Sequence, residues 1–287
     1  MEDPQQRPEW EDGKQRKAEL TAAFETNAER ATMSARLPAL PGALKESFAD
    51  VIRQRVEREP YWFQKIQIMP GLKTPGWSDP MMEKLPFYGL PVDLTGKRVL
   101  DIGCAEGFFS FEAEARGARE VVAIDSFPDS IRRFNIVREA RQSNATAFLM
   151  NVYDLDPDRL GTFDLVLFYG VFYHLKHPQL ALEAISRICV GDLLFQTYIC
   201  DDPRVKDEPW AKYHPHGLMS GTGSKDFDPT VFWLFNSMAC VAMLDSLGFE
   251  NIETVSVDPK PFVLRARAAA KNMAASRPPN QAVAPWS

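Results

Sequence analysis

The sequence has no close cysteine pair: Cys104, Cys189, Cys200 and Cys240 are widely spaced and form no CxxC. Disulfide scaffolds are short and cysteine-dense, and zinc sites need closely spaced ligand pairs, so neither is expected. Four neutral thiols in a reducing cytoplasm fit the spacing instead. No apolar run approaches the roughly 18 residues that suggest a membrane span. Met1 to Lys17 is polar and charged and offers no apolar stretch for a secretory signal, which again points to the cytoplasm. Histidine is scarce. His214-Pro-His216 and His174-x-x-His177 lack a nearby third ligand, so no metal is expected. Lys/Arg-rich runs are missing too, and 33 Lys+Arg against 39 Asp+Glu leaves a net charge of -6. That balance argues against a generally basic nucleic-acid surface.

What is present is the composition of a soluble globular protein, with 287 residues, enough for one large domain or one ordinary domain with an extra segment. Residues 1–13, rich in Pro, Gln and acid, are expected to be disordered. Residues 14–90 read as an N-terminal helical arm and an aromatic-rich lid segment. Within them, 14–33 is rich in helix formers, and 43–58 places Leu44, Phe48, Val51, Ile52 and Val56 on one helical stripe. Pro60 to Pro91 is crowded with Pro, Gly and aromatics and is expected to be irregular but ordered. Residues 91–268 form the main domain, and the Ala- and Pro-rich tail 269–287 is expected to be loose. No internal repeat is found.

From Lys97 short apolar runs alternate with helical stretches. RVLDIG (98–103), VVAID (121–125), AFLMN (147–151), FDLVLF (163–168) and DLLFQT (192–197) read as strands buried on both faces. Helices are expected near 107–116, 129–142 and 178–188, which makes an α/β doubly wound, mostly parallel sheet. A helix around 236–247 ends at Gly248, and NIETVSV and PFVLRAR then add an antiparallel pair at the sheet edge.

The strongest local signal is Asp101-Ile-Gly-Cys-Ala-Glu-Gly107, which follows a strand and opens a helix. Gly103 lets the backbone turn sharply against a ligand. Asp125 ends the next strand, where a carboxylate can accept both hydroxyls of a ribose. Ala105 and Glu106 suit a diphosphate poorly, so an adenosine-containing ligand without phosphates fits better. Asp101 either contacts that ligand or braces the loop.

This motif resembles that of the class I S-adenosylmethionine (SAM)-dependent methyltransferases, in particular the bacterial tRNA wobble-uridine carboxymethyltransferases and their relatives. The resemblance runs over roughly residues 61–267 and includes TPGW (74–77), GKRVLDIGCAEGFFSFEAEARGA (96–118), GTFDLVLFYGVFYHLKHP (161–178) and DPTVFWLFNSMACVAMLDSLGF (228–249). It implies a Rossmann-like, mostly parallel seven-stranded sheet and SAM as methyl donor or substrate. Gly103 would lie along the methionine part, and Asp125 would hold the ribose with Ser126 and Phe127 beside it. Asn151 and Val152 would border the adenine, and Tyr169 and Tyr173 would approach the sulfonium. Trp77 would close over the site, and Arg265 or Arg267 would reach the cofactor carboxylate. Lysines near TPGW (Lys65, Lys73, Lys84) do not fall securely on the pattern of relatives that use carboxy-SAM, so carboxy-SAM is not expected.

Around the sulfonium, aromatic faces of Tyr169, Tyr173 and Phe134 would attract the cation by about 0.5–2 kcal/mol each. Asn135 and His174 would supply an amide and an imidazole, while Phe168 and Phe172 are expected to point into the core. Three reaction classes remain open. Methyl transfer to a small molecule of bacterial secondary metabolism ranks first. Intramolecular cyclisation of SAM to azetidine-2-carboxylate and methylthioadenosine ranks second, because an arm sealing an aromatic pocket suits either. Modification of tRNA ranks last on the acidic charge balance.

Overall fold

The computed structural model describes residues 42–200, 202–205, 207–217, 230–256 and 262–269. Its centre is a seven-stranded sheet. In chain order the strands are β1 (Arg98–Ile102), β2 (Glu120–Asp125), β3 (Thr146–Leu149), β4 (Phe163–Tyr169), β5 (Cys189–Thr197), β6 (Phe249–Ser256) and β7 (Phe262–Ala268). The spatial order is β6-β7-β5-β4-β1-β2-β3. The pairs among β1 to β5 are parallel, whereas β7 runs antiparallel to both β5 and β6. The expected α/β sheet with an antiparallel pair at one edge is therefore present.

The apolar runs form strands because both faces of the sheet are covered. Val99, Leu165, Leu167, Leu194 and Val263 belong to one buried cluster, and Leu100, Ile102, Val166, Phe168 and Phe195 to another. Helices α2 (Phe108–Ala115), α3 (Pro128–Arg141), α4 (Pro178–Ile188) and α5 (Ser237–Ser246) follow β1, β2, β4 and the 233–235 strand. Pro begins α3 and α4, where its missing N–H is an orphan in any case. The expected fourth strand extends one residue further, to Tyr169. The third stops at Leu149, because Asn151 turns out and caps a 3-10 turn at Val152–Asp154. A short antiparallel ribbon, Ala211–Tyr213 with Trp233–Phe235, is too brief for a periodicity signal and was not anticipated.

Before α2 to α5 in the chain comes α1 (Gly42–Arg58), which packs on α3. Ile52 and Val56 are buried, but Val51 is 49% exposed. Neighbouring positions on a helix differ by about 100°, so Val51 and Ile52 cannot both face inward. The helix expected over 14–33, the disorder expected over 1–13 and most of the tail lie outside the described residues. Arg132 pairs with Glu59 at 2.7 Å, and Arg55 pairs with Glu139, joining α1 and its end to α3.

Residues 60–91 form a strap across the face that carries Val99, Leu165 and Leu167. It holds a small hairpin (Gln67–Met69 with Leu72–Lys73) and one helical turn at Pro80–Glu83, and is otherwise irregular, as its composition implies. Trp62, Ile66, Ile68, Leu85, Tyr88 and Leu90 share the buried cluster of that sheet face. The strap folds back on itself: Lys65 N–H donates to the Ser78 carbonyl at 2.7 Å, and Ser78 N–H to the Phe63 carbonyl at 3.0 Å. Thr74 Oγ1 donates to the Gln64 carbonyl at 2.6 Å and accepts the Ile66 N–H at 2.8 Å.

Gly76 is the tightest point of that fold-back. A Cβ there would stand 2.2 Å from the Gln64 carbonyl carbon and oxygen, which are backbone and cannot swing away. Gly76→Ala is therefore expected to destabilise the protein by about 1–3 kcal/mol, in the range of overpacking substitutions. Urea unfolding of both proteins measures this, and an unchanged midpoint would show that the strap has slack.

Candidate active site

The strand order reverses at β1, with β4 on one side and β2 on the other, and ligands of such sheets bind at the carboxyl ends near that switch. Gly103 leaves β1 with φ +72° and donates its N–H to the Ile124 carbonyl at 2.8 Å, which turns the chain over the end of β2. Gly107 closes the loop at φ +93°, where a Cβ would meet the Phe134 ring at 2.5 Å. Asp125 Oδ2 accepts the Ala105 N–H at 3.0 Å and Oδ1 the Phe127 N–H at 2.9 Å.

Three acids surround this loop. Asp101 is fully buried beneath it and accepts the Ser110 hydroxyl at 2.6 Å. Burial pushes its carboxyl up to about 6, against the pull of that hydrogen bond. Burial also pushes Asp125 up, and the N–H groups of Phe127 and Ala105, the Arg133 charge and the Ser126 N–H pull it back. Glu106 has no solvent exposure. Its Oε1 accepts the Phe63 N–H at 3.0 Å and Arg133 Nε–H at 3.1 Å, and its Oε2 accepts the Gln64 N–H at 3.0 Å.

The other anticipated residues fall into distinct settings. Ser126 and Phe127 are exposed beside Asp125, Phe127 at 67%. Asn151 Oδ1 accepts the Tyr153 N–H at 3.2 Å, and the Val152 side chain is buried in the core. Trp77 stands 69% exposed on the strap, its indole N–H donating to the Tyr61 hydroxyl at 2.9 Å and its ring edge-on to Phe63. Phe134 is a correction: it is fully buried on Phe111 under Gly107, so packing occupies its faces. Asn135, next on α3, is half-buried. Phe168 and Phe172 lie in the core, packed with Phe195.

At the ends of β4 and β5 the chain gathers four of its seven tyrosines. Tyr169 donates its hydroxyl to the Tyr88 carbonyl at 2.8 Å, and its ring meets Tyr88 and Phe109, both at 4.8 Å. Burial raises both phenols above their ordinary range, so neither is a proton acceptor near neutrality. Tyr173 lies 4.5 Å from the Tyr198 ring and 4.2 Å from His174. His174 Nδ1 faces Thr230, 3.0 Å from its carbonyl and 2.8 Å from its hydroxyl. Gln196 went unnoticed in the sequence because a glutamine inside an apolar strand carries no motif. It is 2% exposed. A Cβ on Gly170 would lie 3.6 Å from Gln196 Oε1 and 3.5 Å from the Tyr173 hydroxyl, so the two groups flank one backbone position.

Of the two arginines, Arg265 donates to the Gly89 carbonyl at 3.2 Å and holds the strap's end, while Arg267 pairs with Asp192 at 2.9 Å. Lys65 pairs with Asp79, and Lys84 lies over the Phe63 ring. Two shallow grooves of about 580 and 500 Å³ lie elsewhere, along α5 and β6 and beside the start of α4. Neither is lined by Gly103, Asp125 or Tyr173. No group of three or more potential metal ligands occurs among the described residues, and no described helix is long and apolar enough to cross a membrane.

The sheet order and this loop have counterparts among known proteins. Residues 78–254 match the family described as the methyltransferase domain. The chain belongs to that family. The tRNA U34 carboxymethyltransferase of Colwellia psychrerythraea (strain 34H) is 30% identical over 172 residues, 58% of this chain and 48% of that protein. The Alteromonas mediterranea enzyme of the same name is 31% identical over 173 residues, 58% and 48% of the two chains. The chain thus aligns with about half the length of these relatives. The N-terminal domain of EvdMO1, solved with SAH bound, superposes with a TM-score of 0.61 at 19% identity, over 77% of this chain and 97% of that one. That likeness identifies the Rossmann-like class I methyltransferase fold.

Within this methyltransferase domain the raised Asp101 carboxyl has a consequence for stability. Its folded value lies about 2 pH units above that of an unfolded aspartate, so the folded state binds the extra proton. Stability from this group is full below about pH 4 and is lost as pH rises to about 6, on the order of 3 kcal/mol in total. Asp101→Asn removes the titration, so its stability should fall less than that of the parent between pH 4 and 6. Urea midpoints across that range measure it, and parallel curves would contradict the burial of an ionisable Asp101.

Proposed function

We propose that this chain uses SAM to methylate a small molecule. The observation that carries the cofactor half is the loop at the end of β1. It pairs a strand-end carboxylate, Asp125, with a glycine turn at Gly103 and sets three acids against the Arg133 guanidinium, with the Lys84 ammonium near Glu106. That charge balance disfavours phosphates and suits a ligand bearing a sulfonium and an ammonium. Asp125 keeps acceptor capacity beyond its backbone donors, since a carboxylate offers about four lone-pair sites. The exposed faces of Phe127 and Leu149 at the ends of β2 and β3 suit an adenine. SAM supplies an electrophilic methyl group when bound, so the chain has to supply position and a matched field.

The acceptor half rests on the ends of β4 and β5. Gln196 and the Tyr173 hydroxyl flank Gly170, and Tyr88, Tyr169, Phe109 and Tyr198 provide aromatic surroundings. Polar groups set among aromatic walls suit a small organic acceptor. The relatives named for tRNA make nucleic acid the chief competitor. The net charge of -6 weighs against it.

Incubation of the pure protein with SAM, with and without fractionated bacterial small molecules, tests the reading by product. S-adenosylhomocysteine (SAH) that forms only with an acceptor fraction is expected. Methylthioadenosine from SAM alone would replace methyl transfer with intramolecular cyclisation to azetidine-2-carboxylate, and salt-sensitive binding of bulk tRNA with its methylation would replace the small molecule. Independently, Asp125→Ala should weaken SAH binding by roughly 10–100-fold, because hydrogen bonds to a charged group are worth about 1.5–3 kcal/mol. Unchanged affinity in calorimetry would mean that the ribose lies elsewhere.

A further inference from the structure

The strap and the cofactor loop meet at Glu106. Two of its three recorded donors, the N–H groups of Phe63 and Gln64, belong to the strap, and the third is Arg133 on α3. The contact is reciprocal, since Gln64 Oε1 accepts the Phe108 N–H at 3.1 Å, at the start of α2. On the outside, Tyr61 lays its ring 5.6 Å from the Arg133 guanidinium and accepts the Trp77 indole N–H. Undocking the strap would leave a buried carboxylate short of two donors, which the interior tolerates poorly.

Ala105, the neighbour of Glu106, has φ +49°, a left-handed conformation that a residue with a Cβ adopts only when its surroundings fix it. The surroundings here are Glu106 on one side and Asp125, which takes the Ala105 N–H, on the other. The groups that face Asp125 are Asp101 on β1, Cys104 in the loop, and Arg133 on α3.

We propose that Glu106 and Arg133 are positioning residues that make the strap a working part of the cofactor site. Strap docking sets the carboxylate of Glu106, the carboxylate sets the loop at Ala105 and the place of Arg133, and these set Asp125. By linkage, a ligand that prefers the set loop must also hold the strap down by the same factor. This rests on the reading that Asp125 binds the ribose of SAM.

The probe is SAH with the full chain. Saturating SAH should slow hydrogen exchange in peptides covering residues 60–78 by about tenfold or more, in the usual range of coupling between sites. Glu106→Gln and Arg133→Gln should each weaken SAH binding about tenfold or more in calorimetry. In Arg133→Gln the acid-side loss of binding should also move to higher pH, because the charge that helps keep Asp125 ionised is gone. Strap exchange indifferent to SAH, or variants that bind SAH with the parent's affinity and pH profile, would overturn the proposal. Where a variant does not fold, the exchange comparison on the unsubstituted protein decides alone. Failure of the unsubstituted protein to bind SAH would instead remove the cofactor reading on which it rests.

Discussion

The placement of the N-terminal strap depends on a carboxylate that has no contact with water. Glu106 occupies the loop between β1 and α2, directly before the Gly107 cap of that helix. An ionised group there costs several kcal/mol unless its lone pairs are filled. Donors from the strap and from α3 fill them, so a long irregular segment is held by hydrogen bonds where regular secondary structure is scarce. The exposed pairs Arg132–Glu59 and Arg55–Glu139 act alongside it, yet ion pairs of that kind are worth only about 0–1 kcal/mol. Apolar burial of Trp62, Ile66 and Tyr88 supplies adhesion, and the carboxylate supplies register.

The same loop sets the sign of the field at the strand ends. Asp101, Glu106 and Asp125 lie within one short stretch of structure, with Arg133 beside Glu106 and Asp125 and Lys84 near Glu106. Glu106 faces the strap, so its charge is largely spent on Phe63, Gln64 and Arg133. Asp101 and Asp125 remain under strain from burial, and both would gain from a cation bound above the loop. A cationic ligand is thus favoured twice, by direct attraction and by relief of the desolvation that raises both carboxyls. A polyphosphate would meet the opposite arrangement.

Much of the sheet was legible because strands buried on both faces become runs of apolar residues, and β1, β4 and β5 read that way. Gly103 and Asp125 were legible because both are local: a turn and a strand end at a fixed spacing. What escaped notice depends on partners far away in the chain. Glu106 read as poor company for a diphosphate, which agrees with its sign, but its partners at Phe63 and Gln64 lie more than forty residues upstream. Tyr169 read as an aromatic face approaching the sulfonium, and nothing in the sequence showed that its hydroxyl is held by Tyr88, 81 residues away. Phe134 lies on the helix after Asp125, and only the packing of Gly107 against its ring decides which way it points. Gln196 has no local signal at all; its interest lies in its place beside Gly170 and the Tyr173 hydroxyl, which a sequence cannot display.

Beyond the loop, beside the His174 imidazole, an amide and buried phenols bear on how a reaction there would respond to pH. Gln196 does not titrate, and burial lifts Tyr88 and Tyr169 further from neutrality while Tyr169 spends its proton on a carbonyl. These groups orient a partner by hydrogen bonds and aromatic contact and cannot draw a proton from it at ordinary pH. Two carboxyls that burial raises, Asp101 and Asp125, instead lie at the loop proposed for the cofactor. Protonating them would weaken the hold on a cationic cofactor before it altered the neutral groups beyond. Acid should accordingly act first on cofactor affinity, the same quantity that the proposed coupling through the strap, Glu106 and Arg133 would change.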